Sequence, residues 1–251
     1  MITLTGIIIA KNEEGMIADA IDSLSFCEEV IVIDNGSKDR TADIAKLLKA
    51  IVIINNSSSF AELRDNGRER AKGKWLFYID ADERVTPELQ KEIENVVQHK
   101  TAKDVYRVER KNFYYGKFAW PVTEKLERLF KKTSLKGWRG VLHESPTYEG
   151  ERADLPGYLL HYTHRDLQSM IEKTNAWSEA EAKLRFDANH PRMVPWRFFS
   201  VMVRTFWRYY VKDKGYKAGI SGLVESMYQV FSMFITYAKL WELQQLHEKT
   251  K

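Results

Sequence analysis

Hydrophobic and polar positions alternate between two periods over the first hundred residues. Ile2–Ile9 and Glu29–Asp34 are runs of β-branched and apolar residues, the pattern of strands buried on both faces. Ile51–Ile54 and Trp75–Ile79 read the same way. Helical stretches lie between and after them, at Glu14–Leu24, Thr41–Leu48, Ala61–Ala71 and Pro87–Gln98. Strand–helix repetition at this spacing predicts a mainly parallel sheet flanked by helices and joined by right-handed crossovers. Such sheets bind ligands beyond the carboxyl ends of their strands, so the chemistry should sit just after each strand.

From Asp104 the pattern changes to short alternations, at Val105–Val108, Leu126–Phe130 and Tyr158–Tyr162, interrupted by glycine and proline. These predict a mixed or antiparallel extension of the same sheet, with long loops over the site. Arg165–Asn189 is a polar helical segment. Trp196, Phe199, Val203, Phe206, Trp207 and Tyr210 then fall within about 100° of a helical wheel, with Arg197, Arg204, Arg208 and Lys212 on the adjoining arc. A second apolar helix follows at Leu223–Leu243. The expected division is a sheet domain at 1–164, with a parallel half at 1–100 and a mixed half at 101–164, and an amphipathic helical appendage at 165–251.

Charge sharpens this picture. The chain of 251 residues carries +4 overall, yet its stretch from Pro191 to Lys251 holds ten Lys/Arg against four Asp/Glu and so carries +6. That asymmetry points to an anionic partner for the tail. The aromatic load beside the basic arc favours an interfacial helix on anionic lipid, through Arg197, Arg204, Trp207, Arg208 and Lys212, over simple packing. One cysteine, Cys27, excludes an intramolecular disulfide and a cysteine-rich zinc site. The opening MITLTGIIIAKNEE has no basic start and too short an apolar run for a signal peptide. The longest uncharged run of the second half, Ser226–Ala238, is too short to span a bilayer. An intracellular protein, soluble or surface-attached, is expected.

Polar clusters follow the strands where the sheet argument requires them. Asn12-Glu13-Glu14 follows the first; it suits a helix start as well as a site. Asp34 closes the second strand, and Gly36, Ser37 and Asp39 after it read as a turn and a cap, which leaves Asp34 needing a partner for its buried charge. The donors of a nucleotide's base or ribose would supply one. Asp80-Ala81-Asp82-Glu83 closes the fourth strand. Continued as an extended segment it puts Asp80 and Asp82 on one side, where a hard cation such as Mg²⁺ or Mn²⁺ would relieve their repulsion and share its shell with substrate phosphates. Arg64, at a helix start, is placed to reach a phosphate. No Walker, dinucleotide or serine-elbow motif occurs, which argues against P-loop, Rossmann-dinucleotide and serine-hydrolase chemistry.

The series Asn12-Glu13-Glu14, Asp34-x-Gly36-Ser37-x-Asp39-x-Thr41, Arg64-x-x-Gly67-x-x-x-Ala71-x-Gly73 and Asp80-x-Asp82-Glu83 resembles the family 2 inverting glycosyltransferases of GT-A fold. It covers about Ile2–Val97. More loosely, Arg128-Leu129-Phe130, Val141-Leu142-His143-Glu144, Leu160-His161-Tyr162 and the basic aromatic tail are similar to the bacterial subgroup that acts on lipopolysaccharide core, as β-glucosyltransferases among others. One departure is Asp65, where the family usually has Asn.

The resemblance implies a GT-A Rossmann-like sheet and a set of roles. Asp34 would recognise the base and Asp80 the ribose, with Glu13 lining the nucleotide pocket. Asp82 would hold the metal, assisted by Asp80 and by His161 or, as a weaker substitute, His164. Arg64 and the metal would neutralise the departing diphosphate. Inversion is a single displacement, so a base must take the acceptor hydroxyl's proton; Glu144 is the candidate, with His143 and Arg128 on the acceptor side. The expected protein is a metal-dependent hexosyltransferase, peripheral on the inner face of the cytoplasmic membrane. It would move a hexose, glucose first, from a UDP-sugar to a lipid-linked glycan of the bacterial envelope, without a nucleic-acid partner. A sugar-nucleotide nucleotidyltransferase is the nearest rival, disfavoured by the lack of an early glycine-rich phosphate loop. A non-catalytic binding module for anionic membrane or nucleic acid would use the tail but leave Asp34, Asp80 and Asp82 without a purpose.

Overall fold

A computed structural model describes residues 3–249 except 100, 116, 141–143 and 164–165. It divides into two units, one of residues 1–111 and 123–161 and one of residues 112–122 and 162–251, so the boundary falls at His161/Tyr162 and a short hairpin from the middle of the chain joins the helical unit.

The first unit opens with β1 (Leu4–Ala10), α1 (Ile17–Asp22), β2 (Glu29–Asp34), α2 (Thr41–Leu47), β3 (Ile51–Ile54), α3 (Phe60–Arg70) and β4 (Trp75–Asp80). β1 pairs in parallel with β2 on one side and β4 on the other, and β3 adds in parallel outside β2. β1 and β2 are almost wholly buried, as their unbroken apolar runs predict. β3 is an edge strand instead: Ile51 and Ile54 are exposed because the sheet ends there.

After β4 come β5 (Glu83–Val85), α4 (Pro87–Gln98), β6 (Val105–Tyr114), β7 (Phe118–Ala119), β8 (Glu124–Lys131), β9 (Leu135–Arg139), β10 (Ser145–Tyr148) and β11 (Arg152–Thr163). β8 pairs antiparallel with β4 and continues the sheet through β6 and β11 to β5, in the order β3-β2-β1-β4-β8-β6-β11-β5. This is the mixed extension that the alternations predict. β9 and β10 form a separate two-stranded ribbon. Two apolar clusters fill the unit, one around Ile8, Phe77, Leu129 and Ile93 and the other around Ile7, Leu63, Tyr78 and Phe130.

Helix ends follow local chemistry. Thr86 caps α4 through Leu89 N–H (3.3 Å), with Pro87 in its first turn, and Ser59 caps α3 through Glu62 N–H. Gly67 lets α3 lie against β1, since a Cβ there would stand 2.6 Å from Ile7 Cγ2.

In the second unit, β7 pairs with Phe113 and Tyr114 at the end of β6. The helices are α5 (Leu167–Asp187), α6 (Pro195–Phe206), a π-helical turn at Trp207–Lys212, a 3₁₀ turn at Gly215–Ala218 and α7 (Gly219–Lys249), which is longer at both ends than its apolar stretch predicts. α5 and α7 are tied by Thr174 and Tyr228 hydroxyls (2.6 Å) and by Lys239 donating to Asn175. Ala182, Met193 and Leu240 form their small core. Among the described residues no helix is long and apolar enough to cross a membrane.

Candidate active site

β1 is where the parallel strand order reverses, and the polar clusters gather at the carboxyl ends around it. In register, Asp34 of β2 stands opposite Ala10, and Asp80 of β4 opposite Ile9. The two carboxylates therefore flank the end of β1.

The loops after β1 and β2 clasp each other. Asn12 N–H donates to Ser37 Oγ (2.9 Å) and Lys38 N–H to Asn12 Oδ1 (2.8 Å), while Asn12 itself has φ +54°. Glu13 N–H donates to Thr41 Oγ1 (2.7 Å), Glu14 N–H to Asp39 Oδ2 (3.0 Å) and Arg40 N–H to Glu14 Oε2 (3.1 Å). Gly36 (φ +69°) permits the close approach of Asn56. The motif spacing is thus a mutual lock that fixes Glu13 and Asp34. Asp34 Oδ1 accepts Ser37 N–H (2.8 Å), and its Oδ2, buried, finds no hydrogen-bond partner among the described residues.

At the end of β4 a buried charge network forms. Arg64, 4% exposed, donates from Nη2 to Asp80 Oδ1 (2.9 Å) and from Nε to Glu144 Oε1 (2.8 Å). Arg128 donates from Nη2 to Asp80 Oδ2 (3.2 Å) and to Glu83 Oε1 (2.7 Å). Arg110 reaches the same Glu83 oxygen (3.0 Å) and Glu124 (2.8 Å). Glu83 Oε2 in turn accepts Asp80 N–H (2.9 Å). Burial pushes the Asp80 carboxyl up, but Arg64, Arg128 and Arg110 outweigh it and hold the group far below the usual carboxylate range. Burial likewise opposes the charge on Arg64, and Asp80 and Glu144 more than restore it.

Arg64 is also held by aromatic rings. Its guanidinium lies 5.0 Å from the Trp138 ring centroid and 5.9 Å from that of Tyr78, and its backbone carbonyl accepts the Tyr78 hydroxyl (3.2 Å). Burial raises the Tyr78 hydroxyl well above its ordinary value, which keeps it a neutral donor. Asp65, the departure from the family pattern, accepts Trp138 N–H (3.1 Å) and Arg68 Nε (2.9 Å), so it fastens β9 beside Arg64.

Asp80 and Asp82, expected on one side, take different partners. The backbone turns at Ala81–Asp82, and β5 starts at Glu83. Asp80 faces the arginines, whereas Asp82 Oδ2 lies 3.3 Å from His161 Nε2. β11 brings His161 there by pairing it with Glu83. Among the described residues no group of three His, Cys, Asp or Glu forms a metal cluster. An adjacent carboxylate and imidazole nevertheless fit part of the shell of a divalent cation that takes its remaining ligands from a diphosphate and water.

Arg64, Asp80, Glu144 and Arg128 therefore converge, Asp82 meets His161, and Asp34 lies across β1 with the Glu13 loop beside it. Arg128, expected on the acceptor side, is buried against Asp80 and Glu83 because those carboxylates need its charge. His143 and His164 lie outside the described residues. Glu83, Arg110 and Trp138 had no expected role; Glu83 was visible only as the last residue of the acidic motif. The tail residues Arg197, Arg204, Trp207, Arg208 and Lys212 are in the second unit.

The site thus combines the acidic strand ends of a mainly parallel sheet, a buried arginine pair and a carboxylate–imidazole pair within an α/β protein. Residues 5–155 match the family described as Glycosyl transferase family 2, and the chain belongs to that family, with its GT-A fold. It is an enzyme of glycosyl transfer. An uncharacterized glycosyltransferase of Rickettsia typhi is 29% identical over 94% of this chain and 86% of its own. The lipopolysaccharide core biosynthesis glycosyltransferase LpsC of Rhizobium meliloti is 26% identical over 95% and 92%. Among solved structures, S. aureus TarS 1-349 in complex with UDP matches 44% of this chain and 36% of its own, at 20% identity and TM-score 0.40. Glucosyl-3-phosphoglycerate synthase from Mycobacterium tuberculosis matches 46% and 44%, at 24% identity and TM-score 0.37. The chain thus spans less than half the length of these solved structures.

Proposed function

We propose that the protein is an inverting, metal-dependent hexosyltransferase that moves a sugar, glucose first, from UDP to a lipid-linked glycan such as lipopolysaccharide core. The observation that carries the donor half is Asp34. A buried carboxylate oxygen without a partner is costly, and a ligand that donates there recovers the loss. Uracil presents an N–H at its ring N3, where cytosine presents a lone pair; guanine also donates, and the family resemblance favours uracil. Similarity to LpsC over nearly the whole chain supports the acceptor half. Such an acceptor would place the enzyme at the inner face of the cytoplasmic membrane.

Asp82 and His161 would hold a divalent cation, which supplies charge neutralisation to the diphosphate as the glycosidic bond breaks. Arg64, fixed by Asp80, Tyr78 and Trp138, adds a preorganised positive charge beside that bond. Glu144, oriented by Arg64 Nε, takes the proton of the acceptor hydroxyl during the single displacement.

Calorimetric titration with UDP, GDP and CDP, each with and without Mn²⁺, tests this. Metal-dependent binding of UDP is expected. Asp34→Ala should lose the discrimination against CDP, and Asp82→Asn the response to Mn²⁺. Tighter binding of CDP, or UDP binding indifferent to metal in the wild type, would overturn the reading.

A further inference from the structure

Amphipathic helices in a folded unit turn their apolar side to the core, and α6 does the reverse. Its inward residues are Val201 and Thr205, both buried, with Phe198 packed against the small helical core. The wheel position opposite carries the aromatic stripe, and there Trp196 and Trp207 are each 62% exposed, Phe199 71% and Val203 50%. α7 extends the apolar surface: Ile220 is 83% exposed and Met227 52%. The two helices meet in a groove of about 290 Å³. Phe199, Val203, Phe206 and Trp207 line one wall, Met227 and Val230 the other, and no polar side chain contributes. A water-soluble surface rarely leaves so many large apolar side chains together without an occupant.

Charge decides which occupant. From Pro195 to Lys212 the chain contains Arg197, Arg204, Arg208 and Lys212 and no carboxylate. Arg208 is largely exposed, with Asp213 no nearer than 3.9 Å, and Arg197 lies over the Trp196 ring at 4.8 Å. A second copy docking face to face by a two-fold axis would set these arginines against their own equivalents. An anionic bilayer offers phosphates to the basic arc and hydrocarbon to the stripe, and Trp and Arg side by side suit the level of the headgroups.

We infer that the outward face of α6, its π-helical continuation and the first half of α7 form a docking surface for an anionic bilayer, with the groove between them taking a lipid acyl chain. The inference deepens the envelope reading and rests on it for where that bilayer lies.

The test is flotation of the full chain with phosphatidylcholine vesicles, with and without phosphatidylglycerol. The wild type should float with the anionic vesicles. Arg197→Gln/Arg204→Gln/Arg208→Gln should weaken that binding about a hundredfold, at roughly fivefold per arginine. Phe199→Ser/Trp207→Ser, at exposed positions, should also lose binding to the anionic vesicles. Equal flotation on neutral and anionic vesicles, no flotation at all, or self-association that the serine variant abolishes would each overturn the inference. UDP binding measured on the same samples reports on the first unit, so a failure here is distinguishable from a failure of the transferase reading.

Discussion

Replacing Arg64 by methionine removes one guanidinium from between two carboxylates. Breaking a buried ion pair by deleting one partner costs about 3–5 kcal/mol, chiefly because the remaining charge stays buried. Two features of this site favour the lower end. Asp80 keeps Arg128 at 3.2 Å, and its side chain is 30% exposed, so water shares the load. Methionine also fills much of the vacated volume beside Trp138. The expected loss is about 3 kcal/mol, which for a chain of this size lowers the melting temperature by roughly 6–12 °C. Thermal melts of wild type, Arg64→Met, Asp80→Asn and the double variant measure it. Because Asp80 loses the nearer of its two arginines in Arg64→Met, the double variant should be more stable than the two single losses summed, by about 1–3 kcal/mol. Strict additivity, or an unchanged melt for Arg64→Met, would refute the view that Arg64 and Asp80 stabilise each other.

Glu144→Gln should lower turnover by about 10²–10⁴-fold, as for loss of a general base, while UDP affinity stays near wild type; an unchanged turnover number removes Glu144 from the chemistry. Gly67→Ala gains about 1 kcal/mol of helix propensity but drives a methyl to 2.6 Å from buried Ile7. Overpacking at about 1–3 kcal/mol outweighs the gain, and a raised melting temperature would contradict this. At Asp39 burial raises the carboxyl, but hydrogen bonds from the Thr41 hydroxyl and the N–H groups of Glu14 and Thr41 prevail and lower it from 3.8. Its contribution is therefore present above pH 3.8 and lost as pH falls through the folded value. The stability gap between wild type and Asp39→Asn should close below pH 3.8; a gap constant from neutral to acid pH would show that the charge is irrelevant.

The fold was legible where the signal is local. The ends of β2, β3 and α4 coincide with their sequence patterns, since a β-branched run or a Thr86-Pro87 start depends on nothing distant. α1 begins at Ile17, three residues later than its pattern, because Asn12, Glu13 and Glu14 bond to the loop after β2 and so leave the helix. β9 and β10 escaped notice because they are short, and Gly137 and Pro146 break their alternation. The exposed side of α6 was visible as a stripe, but which way it faces depends on the contacts of Val201 and Phe198.

The site was legible in residue types and not in pairings. Arg64 and Glu144 are 80 residues apart, and Arg128 and Glu83 are 45 apart; the packing of α3 on the β9 ribbon brings the first pair within reach, and the sheet order that sets β8 beside β4 the second. A buried carboxylate at a strand end needs a partner, and the two aspartates of the acidic motif find different ones. Treating the motif as one extended segment made a single metal serve both. The turn at Ala81–Asp82 separates them: Asp80 is satisfied by Arg64 and Arg128, and Asp82 stands beside His161. A carboxylate beside an imidazole has the donor chemistry to take a divalent ion. The place to look for a divalent ion is accordingly Asp82 and His161, with Asp80 acting through the arginines it fixes.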